Sequence, residues 1–199
     1  KKFLEKQTAL LGTDHLYSAD TFNENEPPSD DPGYLGKLSA RVYDGMKSAD
    51  RIIRTLVEVV AKGGNLLLGV GPKPDGTFPA NVEERLLEIG KWLDVNGPAL
   101  YGTRSMHHYK DENVFFTQSK DEKTVYLLIP SNPDLKKVEW VINLPKKGSK
   151  LIFVPTGEAV PYRIVDQEVE LVLPKKLLQS QKNNPVWVFK FEATTESSK

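Results

Sequence analysis

The chain has 199 residues, with 27 Lys plus Arg against 27 Asp plus Glu and no cysteine. Balanced charge gives no net field to hold nucleic acid or an anionic membrane, and the lack of thiols excludes a disulfide framework and thiolate chemistry. The length suffices for one or two domains, but an eight-fold α/β barrel takes about 250 residues before any appended domain, so a barrel here is expected to be partial.

The chain opens on KKFLEKQTALLG, where Phe3, Leu4, Leu10 and Leu11 cover one helical face and Gly12 supplies a stop. This segment lacks the long apolar core of a signal peptide or membrane span, so it reads as lying inside a domain. Ser18 to Asn25 mixes β-compatible and polar residues and breaks at Pro27 and Pro28, as expected for a strand end or loop that holds side chains at a surface. After Pro32, Leu35, Leu38, Val42 and Met46 recur every three to four residues, which predicts an amphipathic helix over Tyr34 to Lys47.

From Asp50, Ile53, Leu56, Val57 and Val60 form a second helical stripe, ending at Gly63 and Gly64. Leu66 to Val70 is a nearly continuous apolar run and predicts a parallel strand buried on both faces. A loop, GPKPDG at Gly71 to Gly76, follows. Asn81 and Glu84 have capping-box spacing and predict the start of a helix that runs through Leu86, Leu87, Ile89, Trp92 and Leu93 to Asn96 and Gly97. Helix, strand, loop and helix is the repeating unit of an α/β barrel, in which the loop after each strand faces the active site.

Beyond Tyr101 the periodicity shortens. Val114 to Phe116, Thr124 to Ile129, Val138 to Ile142, Lys150 to Val154, Tyr162 to Val165, Val169 to Leu173 and Val186 to Phe191 are β-rich runs separated by turn formers. The spacing predicts an antiparallel β-sandwich. Its strands can close a core without neighbours, so Tyr101 to Glu192 is expected to be the most stable part and able to fold alone. The fold class is thus α/β plus all-β, a partial (β/α) barrel fragment followed by a sandwich. The polar tail ATTESSK is expected to fray.

Two family resemblances overlie this pattern. The run KSADRIIRTLVEVVAKGGNLLLGVGPKPDGTFPANVEERLLEIGKWLDVNGPALYGTR, Lys47 to Arg104, resembles the closing helix, strand, loop and helix of an alpha-L-fucosidase barrel, a family that carries a β-sandwich after it. The stretch before it, with DTFNENEPP at Asp20 to Pro28, resembles bacterial alpha-N-acetylglucosaminidases. Lys47, Ser48, Ala49 and Asp50 suit either family, whereas Arg51, Ile52 and Ile53 continue as the fucosidases do. A fusion at this short shared sequence is the expectation. The implied domains are residues 1–50 from the acetylglucosaminidase barrel, 51–104 from the end of the fucosidase barrel, 105–193 the sandwich and 194–199 the tail.

Glycoside cleavage needs one carboxylic acid to protonate the leaving oxygen and a second carboxylate, about 5 to 5.5 Å away in retaining enzymes, to attack the anomeric carbon. Resemblance to the acetylglucosaminidases implies that Glu24 is the acid/base and that Asn23 binds substrate or holds the carboxylate. The bland alternative is a solvated loop carboxylate, because tuning its pKa needs apolar walls. That family's nucleophile would lie downstream of the join, and both fucosidase carboxylates upstream of the matched region. Neither complete pair is expected. Glu26 and Asp20 lie near Glu24 without a motif to support either as nucleophile, and the nearest carboxylates after the join that could face the same opening are Asp75 and, less plausibly, Glu83.

Other candidates read as structural. Gly71 to Gly76 lacks P-loop spacing and its following Lys-Ser/Thr. His107 and His108 are adjacent and are expected to diverge on a strand, so no metal site is predicted. Trp92, Trp140 and Trp187 sit in apolar periodic runs and read as core before sugar platforms. Gly69 stands where the fucosidases commonly carry Asn within NLLLNVGP. No cofactor is implied. The expected function is that of a retaining exo-glycosidase releasing terminal alpha-L-fucose, inactive as this chain, with an acetylglucosaminidase and a non-catalytic carbohydrate-binding sandwich as alternatives. Expected partners are fucosylated or N-acetylglucosamine-containing glycans, with no nucleic acid or membrane. The fucosidase resemblance implies a periplasmic or extracellular location.

Overall fold

The computed structural model describes residues 16–18, 48–69, 75–78, 80–132 and 134–194. Helix α1, Ala49–Ala61, opens on Ser48, whose hydroxyl accepts the Arg51 N–H. It closes on Gly63, at φ 86°, a left-handed conformation that glycine adopts without strain. The Gly64 N–H donates to Val59 O and the Gly63 N–H to Val60 O, a Schellman ending. The buried stripe is Ala49, Ile52, Ile53, Val57 and Ala61, as the periodicity predicts.

Strand β1, Leu16–Ser18, and strand β2, Asn65–Leu67, pair in parallel, with Leu16 opposite Asn65 and Ser18 opposite Leu67. The strand predicted at Leu66 to Val70 is longer and buried on both faces. In the structure β2 has three residues, Leu66 and Leu68 pack with the helices, and Leu67 is 62% exposed. A barrel strand buries its second face only against opposing strands, and among the described residues none covers Leu67.

Helix α2, Ala80–Asn96, buries Ile89, Trp92 and Asn96. It starts before Asn81, so the predicted capping box falls inside the first turn, where Asn81 is not the cap. A 3-10 turn, Gly97–Ala99, leads into the sandwich.

Among the described residues nine antiparallel strands follow: β3 (Thr103–Asp111), β4 (Val114–Ser119), β5 (Thr124–Pro130), β6 (Lys137–Trp140), β7 (Leu151–Phe153), β8 (Ala159–Val160), β9 (Arg163–Val165), β10 (Glu168–Val172) and β11 (Val186–Glu192). A short helix α3, Lys175–Ser180, precedes β11. The order β3-β4-β5-β11-β7-β8 forms a six-stranded sheet and β6-β10-β9 a three-stranded one. Between them lies a core built on Phe116, Leu127, Trp140, Leu171, Trp187 and Phe189.

The larger sheet is apolar on its other face too. Phe115, Leu128, Val186 and Val188 pack against Ile52, Ile53, Val57, Ile89 and Trp92 of the two helices. Strict alternation along β4 and β11 therefore sends successive side chains into two different cores. Helices α1 and α2 thus cover one face of the sandwich's main sheet, a contact the strand pattern alone does not predict.

Candidate active-site face

Because β1 and β2 are parallel neighbours in register, their C-terminal ends point the same way. In an α/β barrel that end carries the functional loops. The chain leaves β1 at Ser18 toward Asn23 and Glu24, which lie outside the described residues together with Asp20 and Glu26. It leaves β2 at Leu67 toward Gly69 and the loop ending at residues 75–78. The two segments that carry the family motifs thus emerge from adjacent strands on one side.

Asp75 is the carboxylate described on this loop. Its Oδ1 accepts the Thr77 N–H at 3.0 Å and the Thr77 hydroxyl at 2.7 Å, closing a local turn. The backbone hydrogen bond, then the hydroxyl, holds its pKa below the usual carboxylate value and outweighs a lesser, opposing effect of desolvation. A general acid of glycoside cleavage needs the opposite net shift, from an apolar pocket or a second carboxylate. Asp75 is a solvated, ionised turn residue. Glu83, in the first turn of α2, is exposed.

Gly69 is exposed, and a Cβ built on it meets no atom of the described residues within 4 Å. Its backbone is not in the left-handed region that requires glycine. Among the described residues nothing at this position requires glycine.

Beside β2 lies a cleft of about 620 Å³ whose apolar wall includes Leu56, Leu66, Leu68, Ile89 and Leu93. Its cations are Arg104 and Lys120, and among the described residues no carboxylate lines it. Among the described residues the cleft lacks the groups that glycosidic cleavage requires.

The histidines differ from expectation. A register shift between Ser105 and Lys110 interrupts the alternation of β3, and the rings of His107 and His108 meet edge to face with centroids 4.6 Å apart. No group of three or more His, Cys, Asp or Glu able to hold a metal exists among the described residues. Trp140 and Trp187 are buried in the sandwich core, and Trp92 in the core beneath the helices. All three are core residues, as their apolar runs predict.

Sequence reasoning misses the polar links between barrel end and sandwich. The Arg54 guanidinium donates to the Ser131 carbonyl at 2.6 Å and to its hydroxyl at 3.2 Å. Trp92 Nε1 donates to Asn184 Oδ1 at 3.0 Å, and the buried Thr117 hydroxyl to Ala99 O at 2.7 Å. Ser131 and Asn184 are loop residues whose partners lie 77 and 92 positions away, so no local signal marks them.

Comparison with known proteins agrees with this architecture. The alpha-L-fucosidase family model matches residues 33–98, and the model of the alpha-N-acetylglucosaminidase tim-barrel domain matches residues 1–56. Both match residues 33–56, which contain the expected join. Plasma alpha-L-fucosidase of Rattus norvegicus is 40% identical over 126 residues, covering 62% of this chain and 24% of that protein. An alpha-L-fucosidase of Branchiostoma floridae is 33% identical over 119 residues, covering 58% of this chain and 26% of that protein. The crystal structure of Thermotoga maritima alpha-fucosidase superposes with a TM-score of 0.62 at 34% identity, over 74% of this chain and 34% of that one. The chain thus spans about a quarter to a third of the relatives it matches. Over its barrel end and β-sandwich the chain is similar to the alpha-L-fucosidases, and its first 56 residues are similar to the alpha-N-acetylglucosaminidase tim-barrel domain.

Proposed function

We propose that the chain carries the closing barrel unit and sandwich of a glycosidase acting on terminal alpha-L-fucose of glycans, and that in this form it turns over no substrate efficiently. The reaction of the parent type is retaining hydrolysis by two carboxylates, one protonating the leaving oxygen and one attacking the anomeric carbon. The observation that carries this reading is the helix, strand and helix over Ala49–Asn96 with the sandwich behind it, the part similar to the alpha-L-fucosidases, beside a cleft that no described carboxylate lines; Asp75, tied to Thr77, is ionised and so is no general acid. Loss of one member of such a pair costs orders of magnitude in rate, because the two act as a unit.

A second reading is supported by the match of residues 1–56 to the acetylglucosaminidase barrel and by the parallel seating of β1 against β2. In it, Glu24 is the acid/base, Asn23 contacts the sugar, and the substrate is an N-acetylglucosamine-containing glycan. A fluorogenic alpha-L-fucoside and the matching alpha-N-acetylglucosaminide, tested with the purified chain and with Glu24→Gln, separate the two. Silence on both substrates is the expected result. Glucosaminide turnover abolished by Glu24→Gln would favour the second reading, and fucoside turnover unaffected by that change would refute the inactivity.

A further inference from the structure

We propose that the part of the six-stranded sheet around Tyr126, Lys150 and Lys190 binds an acidic saccharide chain, one that carries sulfate or carboxylate groups. On this face of β5, Leu128 is fully buried against the helices, whereas Tyr126 and Thr124, two and four residues before it, are only half-buried. Strand register sets Thr117, Tyr126, Lys190 and Ile152 in one row across β4, β5, β11 and β7. The row begins covered and ends open. Thr117 is buried with its hydroxyl donating to Ala99 O, while Lys190 is exposed.

This open part is a hollow of about 420 Å³, lined by Thr124, Tyr126, Lys150, Ile152, Lys190 and Glu192 among others, so it belongs to the sandwich and not to the barrel end. Its charges do not balance. Glu192 is answered by Lys146, at 3.6 Å. Asp121 acts on Tyr126 from outside the hollow and is held by the Ser119 hydroxyl and the Lys123 N–H. Neither Lys150 nor Lys190 pairs with a carboxylate among the described residues, and the Tyr126 hydroxyl makes no hydrogen bond there. In a chain with 27 acidic and 27 basic residues, the two lysines are a local excess of positive charge beside an aromatic ring.

The occupant follows from these groups. A tyrosine ring gives an apolar surface to the C–H face of a sugar and keeps a polar tip for its hydroxyls, and the two ammonium groups attract anions over a range set by salt. Strands β5, β11 and β7 each have a partner strand on both sides, so no main-chain edge is left for an extended peptide to join. One half-buried tyrosine and one half-buried isoleucine are too little apolar surface to anchor a membrane. A saccharide chain with acid groups uses the ring, its hydroxyl and both lysines together. Binding here needs no carboxylate pair and is independent of turnover by the barrel unit.

Titration of the isotope-labelled full chain with sulfated dextran oligosaccharides, followed by amide NMR shifts, tests this, with unsulfated dextran and polyglutamate as comparisons. Sulfated dextran should shift residues 124–126, 149–152 and 190–192, and the two comparison probes should not. Lys150→Gln with Lys190→Gln, both on exposed side chains, should weaken the affinity about tenfold without lowering Tm. Tyr126→Leu, which keeps apolar bulk against the helices and removes the ring, should weaken it about threefold. Lys91→Gln with Lys182→Gln, exposed lysines outside the hollow, removes the same charge and should leave the affinity within about twofold. No shift with sulfated dextran, shifts scattered over lysines elsewhere, or equal binding of unsulfated dextran or polyglutamate would each overturn the proposal. So would an affinity indifferent to Tyr126→Leu, or an equal loss in the Lys91 and Lys182 variant.

Discussion

At residue 69 the chain departs from the fucosidase motif in a position that has no steric need for glycine. No atom of the described residues lies within 4 Å of the place a Cβ would take and the backbone is not left-handed, so Gly69→Asn should fold normally. Removing glycine's freedom from the unfolded chain should make the change neutral or stabilising by up to about 1 kcal/mol, read as an equal or higher Tm. A drop in Tm would show that the position is constrained. Asp75 supplies a second check. Its folded pKa is depressed by the Thr77 N–H and hydroxyl, so its contribution to stability is present above the unfolded carboxylate value and lost as pH falls through the folded one. Thr77→Val should move the pKa of Asp75, followed by NMR, up toward the ordinary aspartate value of 3.8 while the larger backbone contribution persists. A value unmoved by Thr77→Val would remove the hydroxyl from the explanation. Gly69 is legible as a departure because the motif around it is specific. The Asp75–Thr77 turn is not, since Asp and Thr two residues apart are common in loops.

At the scale of elements, the decisive feature is a sheet with two apolar faces. Leu128 on β5 is fully buried against the helices, while its neighbours Leu127 and Ile129 are buried in the sandwich core. Leu128→Ala should cost about 2–5 kcal/mol, as for other buried leucines, even though the side chain contributes nothing to the sandwich core. Excised residues 101–194 would expose Phe115, Leu128, Val186 and Val188. That piece should therefore have a lower denaturation midpoint than the same strands in the whole chain, or aggregate. An equal midpoint would show that the helices add nothing. The strong strands are legible because dense apolar and aromatic runs mark them, as at Val114, Phe116, Val186 and Val188. Strand β3 is not, because TRSMHHYKD is a polar edge strand with a register shift, and edge strands are selected for the charge that hides them from a periodicity reading. The two-residue β8 and the six-residue α3 are too short to carry a period. The helix stripe of α1 and its Gly63-Gly64 stop are legible, since cap chemistry and periodicity agree there.

At the scale of the whole molecule, segments matched by two glycosidase families meet as adjacent parallel strands, β1 and β2, and the second continues into helices welded to a β-sandwich. The weld is well made: Arg54 to Ser131, Trp92 to Asn184 and Thr117 to Ala99 tie it with hydrogen bonds over an apolar core. The barrel side is not, with Leu67 exposed on the face that a closed barrel would bury. Stability and chemistry are therefore expected to part company, leaving a folded sandwich and barrel end with no assembled carboxylate pair among the described residues. Which side of the barrel unit would carry the chemistry is legible from the order of strand and loop. The state of its carboxylate is not, because pKa depends on neighbours that spacing alone does not reveal. The most direct test is the rate of hydrolysis of a fluorogenic alpha-L-fucoside by the purified chain, measured beside the intact Thermotoga maritima alpha-fucosidase. The expected result is no turnover above background, and a rate within about a hundredfold of the intact enzyme, surviving a contaminant control, would contradict it, since loss of one carboxylate from such a pair costs far more than that.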